Sequence, residues 1–382
     1  MKKMAFIDIC NFENWPTGGM LEYELSILPE LTNYYEIDIW GVSVDGLVPP
    51  PIYLNGKKYK INCFANVKTK NRIIPNFWKG LSLLLCNAFK EKYYDIIYAH
   101  SASCMVSGRI ASKNKFAKFV YHQHGLSYKS NYSLRSLTQR PFYFIAQRIA
   151  DLVFLVSDPI SANEHADYMR NKSKAVFVGI GSPIDLTKFN FNQIKEKIEL
   201  RKNARFKNLI FVGRLGAEKN ICSMIKAFKC YIDISNNYDA KLHIVGDGPD
   251  KVNIENEVKN CHIENYVIFH GSIEHAKVYN YLLESDAFLI TSKGEGVSVS
   301  VLEAFASGLP VVCYNVPGLK YQNVNNYTGK VVKFGDEQSF GEAIKEIENK
   351  RYFISNNCLN EVQKYNNRLI VDKIRSTIDG MN

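Results

Sequence analysis

The sequence predicts an α/β fold in which two doubly wound parallel sheets each form a Rossmann-like domain. Short apolar segments of strand length alternate with amphipathic segments of helix length through most of the 382 residues. A break containing Gly and Pro, residues 179–185, separates one such series from the next. Strand–helix alternation builds parallel sheets that are covered by helices on both faces. Two series therefore predict two domains, which also suits a chain of this length.

Both series consist of strands that are short and apolar enough to be buried. In the first series, the predicted strands are 4–9, 36–44, 95–100, 119–122 and 152–157, with helices at 19–31, 74–90 and 142–150. In the second series, the predicted strands are 209–213, 241–246, 267–270, 287–291 and 310–314. The predicted domains are 1–185 and 186–358, and a helical segment, 359–382, completes the chain.

Composition narrows the class of protein. Hydrophobic content of 46% and charged content of 23% are ordinary for a globular protein. None of the nine cysteines forms a C-x-x-C pair, so neither a zinc site nor a disulfide framework is indicated, and a reducing cytoplasm is favoured. Asp8 interrupts the first apolar run, which therefore suits a buried strand better than a signal peptide. A run of about 18 apolar residues, which a membrane span needs, does not occur in the sequence.

The net charge of +10 is concentrated in the first domain. Residues 96–150 contain no Asp or Glu. The basic residues of this stretch are Arg109, Lys113, Lys115, Lys118, Lys129, Arg135, Arg140 and Arg148. Two interpretations stay open: a solvated basic surface, or a surface that attracts an anionic membrane or a pyrophosphate-linked acceptor. Nucleic acid is not an expected partner, because no helix-turn-helix, zinc-finger or RNP-like pattern occurs.

Two carboxylates, Glu295 and Glu303, stand eight residues apart around the start of a predicted helix. The first follows an apolar strand in a Gly-flanked loop, and the second lies within the helix. The loop brings the N–H groups of Gly296, Val297 and Ser298 to a helix N-terminus, which favours an anion. Glycine permits a close approach of the ligand. This arrangement predicts a ligand with a phosphate core and sugars on either side of it.

Two cations follow the first strand of the second series. Arg214 comes directly after the strand and a Gly, and Lys219 comes five residues later. Ligands of open α/β sheets bind at this carboxyl edge, so both cations could contact one diphosphate. Alone, an Arg-x4-Lys spacing is more often surface charge. Two cations on a diphosphate can replace a divalent metal in stabilising a leaving group, so no metal is expected.

The first domain offers a glycine pair and three histidines. Gly18 and Gly19, between the first strand and its helix, allow close approach to a phosphate. His122 and His124 end a strand, and either could be a hydrogen-bonded core residue. We favour His124 as the ligand-facing one because Gly125 follows it. His100, which also ends a strand, is predicted to be structural.

These features occur in the order of a known family. The E-x7-E pattern of residues 295–303 resembles the signature of the retaining glycosyltransferases of family 4. Similar agreement holds for the Gly-Arg…Glu-Lys segment of 211–219 and the Gly-Asp-Gly-Pro turn of 246–249. The other segments that match the family's motifs are Thr17–Glu22, His124–Gly125, Ser182–Asp185, and the strand and helix of 267–282.

The resemblance implies a GT-B fold, in which two Rossmann-like domains face a central cleft and the final helix crosses back to the first domain. It implies a metal-independent, retaining hexosyltransferase without a resident cofactor, which uses a nucleotide-diphosphate sugar of the UDP or GDP type. The implied acceptor is a glycan or lipid-linked glycan, as in bacterial capsule or lipopolysaccharide O-antigen assembly. The implied location is the cytoplasm, with the inner face of the cell membrane as a further binding surface.

The resemblance also assigns roles to residues. Glu303 would hold the ribose of the donor, Glu295 and His124 would contact the transferred sugar, and Arg214 and Lys219 would contact the diphosphate. One departure concerns Tyr321, which stands where the family usually has an acidic residue. Two rival functions stay open: a nucleotide-sugar epimerase or hydrolase on the same fold, and a non-catalytic nucleotide-sugar-binding protein. The presence of the cations and both carboxylates argues against the second.

Overall fold

A computed structural model describes residues 1–16, 19–69, 76–124, 134–157, 159–323 and 325–381. It divides into two compact units. Unit 1 comprises Met1–Pro183 and Asn367–Asn382, and unit 2 comprises Ile184–Asn366. Each unit has its own parallel sheet and its own apolar core.

Unit 1 contains a seven-stranded sheet with the order β5-β2-β1-β6-β7-β8-β9, and a separate antiparallel hairpin, β3–β4. The strands are β1 (Lys2–Ile7), β2 (Tyr35–Val44), β3 (Ile52–Leu54), β4 (Lys57–Tyr59), β5 (Ile61–Val67), β6 (Ile96–Ala99), β7 (Lys118–Gln123), β8 (Leu152–Val156) and β9 (Val176–Ile180). The α-helices are α1 (Gly19–Leu31), α2 (Asn87–Lys90), α3 (Ala102–Ala111), α4 (Leu134–Ile149) and α5 (Pro159–Met169). Every neighbouring pair in the large sheet is parallel.

Unit 2 contains a six-stranded parallel sheet with the order β12-β11-β10-β13-β14-β15. The strands are β10 (Asn208–Val212), β11 (Lys241–Val245), β12 (Val267–Gly271), β13 (Ala287–Ile290), β14 (Val311–Tyr314) and β15 (Gly329–Val332). The helices are α6 (Phe191–Leu200), α7 (Ile221–Ser235), α8 (Lys251–Asn260), α9 (His275–Glu284), α10 (Val299–Ala306), α11 (Leu319–Gln322), α12 (Glu337–Asn349) and α13 (Arg351–Val362). This is the doubly wound order of the Rossmann fold, which reverses between β10 and β13.

The prediction of two parallel-sheet, Rossmann-like domains is confirmed. The sequence did not predict the sheet strands β5, β9 and β15. β9 lies at the sheet edge with most of its residues partly or fully exposed, so it lacks the continuous apolar pattern of a central strand. The predicted helix at 74–90 begins outside the described residues; from Asn76 to Leu85 it is a 3₁₀ helix, followed by α2. A Cβ on Gly80 would lie 2.3 Å from Ser103 Oγ, so this segment packs closely on α3.

The final helix, α14 (Asn367–Gly380), groups with unit 1 and packs on α1. The ammonium of Lys118 donates to the Ile378 carbonyl at 2.9 Å and to the Met381 carbonyl. A cation near a helix C-terminus stabilises its last carbonyl groups. Lys118 is therefore engaged by α14. Within the described ranges, no helix is long and apolar enough to cross a bilayer.

A buried ion pair ties α13 to the sheet of unit 2. The guanidinium of Arg351 donates to the carboxylate of Asp286, and the two side chains are 3% and 2% exposed. The same carboxylate accepts from the N–H groups of Lys207 and Asn208 at 2.7 and 2.9 Å. Burial opposes ionisation of Asp286, but Arg351 and these N–H groups outweigh burial and lower its pKa.

Candidate active site

The candidate site of unit 2 lies at the carboxyl ends of β10 and β13, where the strand order reverses. The loop after β10 contains both predicted cations, and the loop after β13 contains the first predicted carboxylate. Open α/β sheets bind ligands at this point, because the two connections leave in opposite directions and open a crevice.

Glycines hold the loop after β10 against the turn after β11. A Cβ on Gly246 would lie 1.9 Å from the Gly213 carbonyl oxygen, and a Cβ on Gly248 would lie 2.3 Å from that of Leu215. Gly246 also has a φ of +138°, which disfavours any side chain. The Leu215 N–H donates to the Asp247 carbonyl at 2.9 Å. The Gly-Asp-Gly turn therefore fixes the backbone that presents Arg214.

Arg214 projects into solvent and pairs locally. Its guanidinium lies 2.5 Å from Glu218 Oε1, and the side chains are 65% and 48% exposed. Burial opposes ionisation of Glu218, but its own backbone N–H and the Arg214 guanidinium outweigh burial and lower its pKa. A pair this exposed is weak, so an anionic ligand could displace the carboxylate at little cost.

Lys219 and Glu295 form a more enclosed pair. The Lys219 ammonium lies 2.6 Å from Glu295 Oε1, with side chains 22% and 15% exposed. The Thr291 hydroxyl donates to the Lys219 carbonyl at 3.1 Å, and the Lys293 N–H donates to the Glu218 carbonyl at 2.9 Å. These bonds join the loops after β10 and β13. The structure thus brings together a predicted cation and a predicted carboxylate that are 76 residues apart.

Glu303 lies in α10 and is buried, with only 11% of its side chain exposed. Its Oε1 lies 2.6 Å from His275 Nε2, at the start of α9. The His275 ring is 48% exposed. The sequence analysis missed His275, and no pattern of residues around it indicates this contact. Together the two side chains offer a carboxylate and an imidazole to ligand hydroxyl groups.

The backbone N–H groups of the loop between Glu295 and α10 differ in whether they are hydrogen-bonded within the protein. The Ser298 N–H donates to Gln322 Oε1 at 2.9 Å, and the Gln322 amide donates back to the Ser298 carbonyl at 2.7 Å. The sequence predicts that the Ser298 N–H faces a ligand, but in this structure the N–H is hydrogen-bonded to Gln322. The N–H groups of Gly296 and Val297 make no hydrogen bond within the described part of the chain.

The loop after β14 supports the same segment. Gly318 has a φ of +83°, and a Cβ there would lie 2.4 Å from the Glu295 carbonyl oxygen. Tyr321, which replaces the usual acidic residue of the resembled family, lies under the Lys320 ammonium at 4.6 Å from the ring centroid. The next residue, Gln322, accepts the Ser298 N–H and so connects this loop to the one that follows Glu295.

In unit 1, Gly19 is the first residue of α1, whereas Gly18 lies outside the described residues. His124 follows β7, and its Nε2 lies 3.0 Å from Nδ1 of His100. His122 is fully buried and its Nδ1 lies 2.6 Å from the Tyr98 hydroxyl, as expected of a core histidine. Burial lowers the pKa of His124 to about 3, so its ring is neutral.

His100 connects His124 to acids that the sequence analysis did not select. Glu24 Oε1 lies 3.4 Å from Nδ1 of His100, and both side chains are fully buried. Burial and the neighbouring Asp8 raise the pKa of Glu24 well above its usual range, and burial raises that of Asp8 to about 6. In the described part of the chain, two groups could hold a metal ion: Glu24, His100 and His124, and Asp8, Cys10 and Glu24. Both belong to unit 1.

The comparisons with known proteins agree with this architecture. Residues 192–368 match the family model of the glycosyl transferases group 1. The chain is 27% identical over 321 residues to the Escherichia coli UDP-Gal:alpha-D-GlcNAc-diphosphoundecaprenol alpha-1,3-galactosyltransferase, a match that covers 79% of this chain and 81% of that protein. It is 29% identical over 265 residues to N-acetyl-alpha-D-glucosaminyl L-malate synthase of Bacillus anthracis, covering 69% and 67%.

Two solved structures show the same fold. HepE of Anabaena in complex with UDP superposes with a TM-score of 0.73 at 20% identity, covering 99% of this chain and all of that one. Sucrose-phosphate synthase of Thermosynechococcus elongatus superposes with a TM-score of 0.78 at 19% identity, covering 100% and 99%.

These matches establish two points about the chain. Its fold is GT-B, with two parallel-sheet, Rossmann-like domains. The family match and the named relatives support a glycosyltransferase enzyme, which confirms that part of the sequence prediction. Bacterial relatives bear the names of enzymes of polysaccharide and lipid-linked sugar synthesis, and the HepE structure contains UDP.

Proposed function

We propose that this protein is a retaining, metal-independent glycosyltransferase that moves a sugar from a nucleotide-diphosphate sugar to a glycan or lipid-linked glycan. One observation carries the proposal: Arg214 and Lys219 follow β10 at the carboxyl edge of the sheet where its strand order reverses, Lys219 pairs with Glu295, and Glu303 lies in the next helix, α10. Two cations suit a diphosphate, and two carboxylates suit the hydroxyl groups on either side of it.

In the proposed reaction, the bond from the sugar C1 to the β-phosphate oxygen breaks and its electron pair stays on that oxygen. The acceptor hydroxyl attacks C1 from the same face and passes its proton to the leaving phosphate oxygen. Arg214 and Lys219 stabilise the developing negative charge. In the structure, Glu218 pairs with Arg214 and Glu295 pairs with Lys219, so the diphosphate has to displace both carboxylates.

Recognition of the donor follows from the remaining contacts. Glu303, fixed by His275, accepts hydrogen bonds from the ribose, and the N–H groups of Gly296 and Val297 approach the sugar or a phosphate. Glu295 contacts the transferred sugar, and His124 is proposed separately as a sugar ligand of unit 1. UDP is the first nucleotide to test, because the names of the E. coli and Anabaena proteins include it. The diphosphoundecaprenol in the name of the E. coli protein motivates the proposal of a lipid-linked acceptor, and relatives named for capsular polysaccharide and teichuronic acid biosynthesis motivate that of surface polysaccharide synthesis.

We propose further that the enzyme works on the cytoplasmic face of the membrane and that unit 1 binds its anionic surface. Lys113 and Lys115 are exposed. Two other basic residues of the stretch already have partners within the protein. Arg109 lies 3.7 Å from Asp151, and Lys118 donates to a carbonyl group at the end of α14. The membrane proposal therefore rests on fewer charges than the sequence suggested.

A nucleotide screen followed by product analysis tests the function. A ligand at about a hundred times its dissociation constant should stabilise the protein by about 2.7 kcal/mol, so UDP or GDP should raise the melting temperature. The Lys219→Ala variant should lose that shift and at least about a hundredfold in turnover. Free nucleotide plus an extended glycan supports the transferase. A changed sugar nucleotide would indicate an epimerase, and free sugar would indicate a hydrolase. Nucleotide binding without turnover on any acceptor would indicate a binding protein.

A further inference from the structure

A chain of three polar side chains lies at the carboxyl edge of the unit 1 sheet. Glu24 belongs to α1, His100 follows β6 and His124 follows β7. Glu24 Oε1 lies 3.4 Å, and His124 Nε2 lies 3.0 Å, from the same atom, Nδ1 of His100. The thiol of Cys10 donates to the other carboxylate oxygen of Glu24 at 3.2 Å and so fixes its orientation.

The burial of His100 decides where its proton lies. Its other ring nitrogen, Nε2, is buried and has no partner among the described residues. A proton there would be a buried donor without an acceptor, and orphaned buried N–H groups are rarer in proteins than unpaired acceptors. The proton of His100 therefore belongs on Nδ1, which faces both Glu24 and His124.

The proton of His124 follows from that assignment. Since the Nδ1–H of His100 donates to Nε2 of His124, the neutral ring of His124 must carry its own proton on Nδ1. Within the described part of the chain, Nδ1 of His124 has no hydrogen-bond partner. His122 stacks on the His124 ring at 5.1 Å between centroids and restrains its plane. The result is a neutral imidazole whose N–H is available to a ligand.

We propose that His100 is a positioning residue that holds His124 as its Nδ1–H tautomer, so that this N–H is available to a sugar hydroxyl. The inference rests on the proposed contact between His124 and the sugar. The rival arrangement has a protonated Glu24 donating to His100 Nδ1. It moves the His100 proton to Nε2 and the His124 proton to Nε2.

Nitrogen-15 NMR of the histidine rings tests the tautomer without any turnover. In the full-length protein at neutral pH, the resonances of His124 should show a protonated Nδ1 and an unprotonated Nε2, assigned by their loss in His124→Asn. In His100→Phe, the protonated Nδ1 should give way to the Nε2–H form or to a mixture. A wild-type His124 protonated on Nε2, or an unchanged tautomer in His100→Phe, would overturn the proposal.

Kinetics with matched variants provide the second test. Loss of the tautomer in His100→Phe should lower kcat about tenfold or more. His100→Asn, whose side-chain amide can donate from the position of Nδ1, should restore kcat to within about threefold of wild type. All variants should keep the wild-type dissociation constant for UDP, whose proposed contacts lie in unit 2, and their circular dichroism spectra should match the wild type, which reports that unit 1 folds. Equal rates in the Phe and Asn variants, or wild-type kcat in His100→Phe, would contradict the positioning role.

The chain supplies a control pair and a second way to reject the inference. In unit 2, His243 Nδ1 lies 2.9 Å from His270 Nε2, and His243→Phe should leave kcat unchanged. One equivalent of a divalent metal in the purified protein, lost on substitution of His100, would overturn the proposal, because the metal would then occupy the nitrogen assigned to the proton. If the wild type transfers no sugar at all, the proposed function fails, while the NMR result still decides the tautomer.

Discussion

Glu295→Gln should change nucleotide binding and sugar transfer in opposite directions. In the structure the Glu295 carboxylate forms an ion pair with the Lys219 ammonium at 2.6 Å, so a nucleoside diphosphate has to compete with this carboxylate for Lys219. Glutamine keeps the shape of the side chain but removes this competing charge. A solvent-exposed ion pair contributes up to about 1 kcal/mol. The pair here is only 22% and 15% exposed, so we take about 1 kcal/mol, which is a factor of about five in the dissociation constant.

Isothermal titration calorimetry with UDP and a transfer assay with the cognate sugar nucleotide provide the two measurements. UDP should bind about fivefold more tightly to Glu295→Gln. Transfer should slow by about tenfold or more, because a charged hydrogen bond to the sugar, worth about 1.5–3 kcal/mol, is lost. Equal or weaker UDP binding would refute the reasoning.

Two control variants locate the effect. In a Lys219→Ala background, Glu295→Gln should no longer improve UDP binding, because the cation that it releases is absent. Glu218→Gln removes the partner of Arg214, but that pair is 65% and 48% exposed, so UDP affinity should change by less than about twofold. An equal gain in all three variants would show a general effect of charge instead of a specific ion pair.

Three further predictions concern metal, stability and membrane. Turnover should persist in EDTA because Arg214 and Lys219 supply the positive charge that stabilises the leaving diphosphate. A complete loss of turnover that Mg²⁺ or Mn²⁺ reverses would contradict this prediction. Arg351→Met should destabilise unit 2 by about 3 kcal/mol at pH 7 in urea unfolding, because it leaves the Asp286 carboxylate buried without its main partner. Folding lowers the pKa of Asp286, so the stability that its carboxylate contributes is present above its unfolded pKa of about 3.9 and is lost as the pH falls through the folded pKa. The loss of stability caused by Arg351→Met should therefore be smaller in acid than at pH 7. An equal loss at pH 7 and in acid would count against the ion pair. Binding to anionic vesicles should weaken with added salt and on combined Lys113→Gln and Lys115→Gln substitution, but not on Lys259→Gln in unit 2, and no binding at low salt would remove the membrane proposal.

Much of the architecture could be predicted from the sequence because it is encoded locally. The apolar runs of β10, β13 and β14 mark buried parallel strands, and parallel connectivity brings the residues that follow β10 and β13 to one sheet edge. That is why the sequence alone predicts that Arg214, Lys219 and Glu295 lie at the same sheet edge. Edge strand β9 escaped prediction because its partial exposure weakens the same pattern.

The partners of the functional side chains depended on the tertiary structure. Nothing in the sequence links His275 to Glu303, Gln322 to the Ser298 N–H, or Glu24 to His100. Strand and helix periodicity fixes the direction of a side chain relative to its own element. Which distant side chain it meets depends on sheet register and helix packing, and these are set by the sum of many weak contacts across the core. The sequence by itself therefore determined the edge of the sheet that holds the candidate site of unit 2. Only the packing of the whole chain decided which groups contact Glu303, the Ser298 N–H and His100.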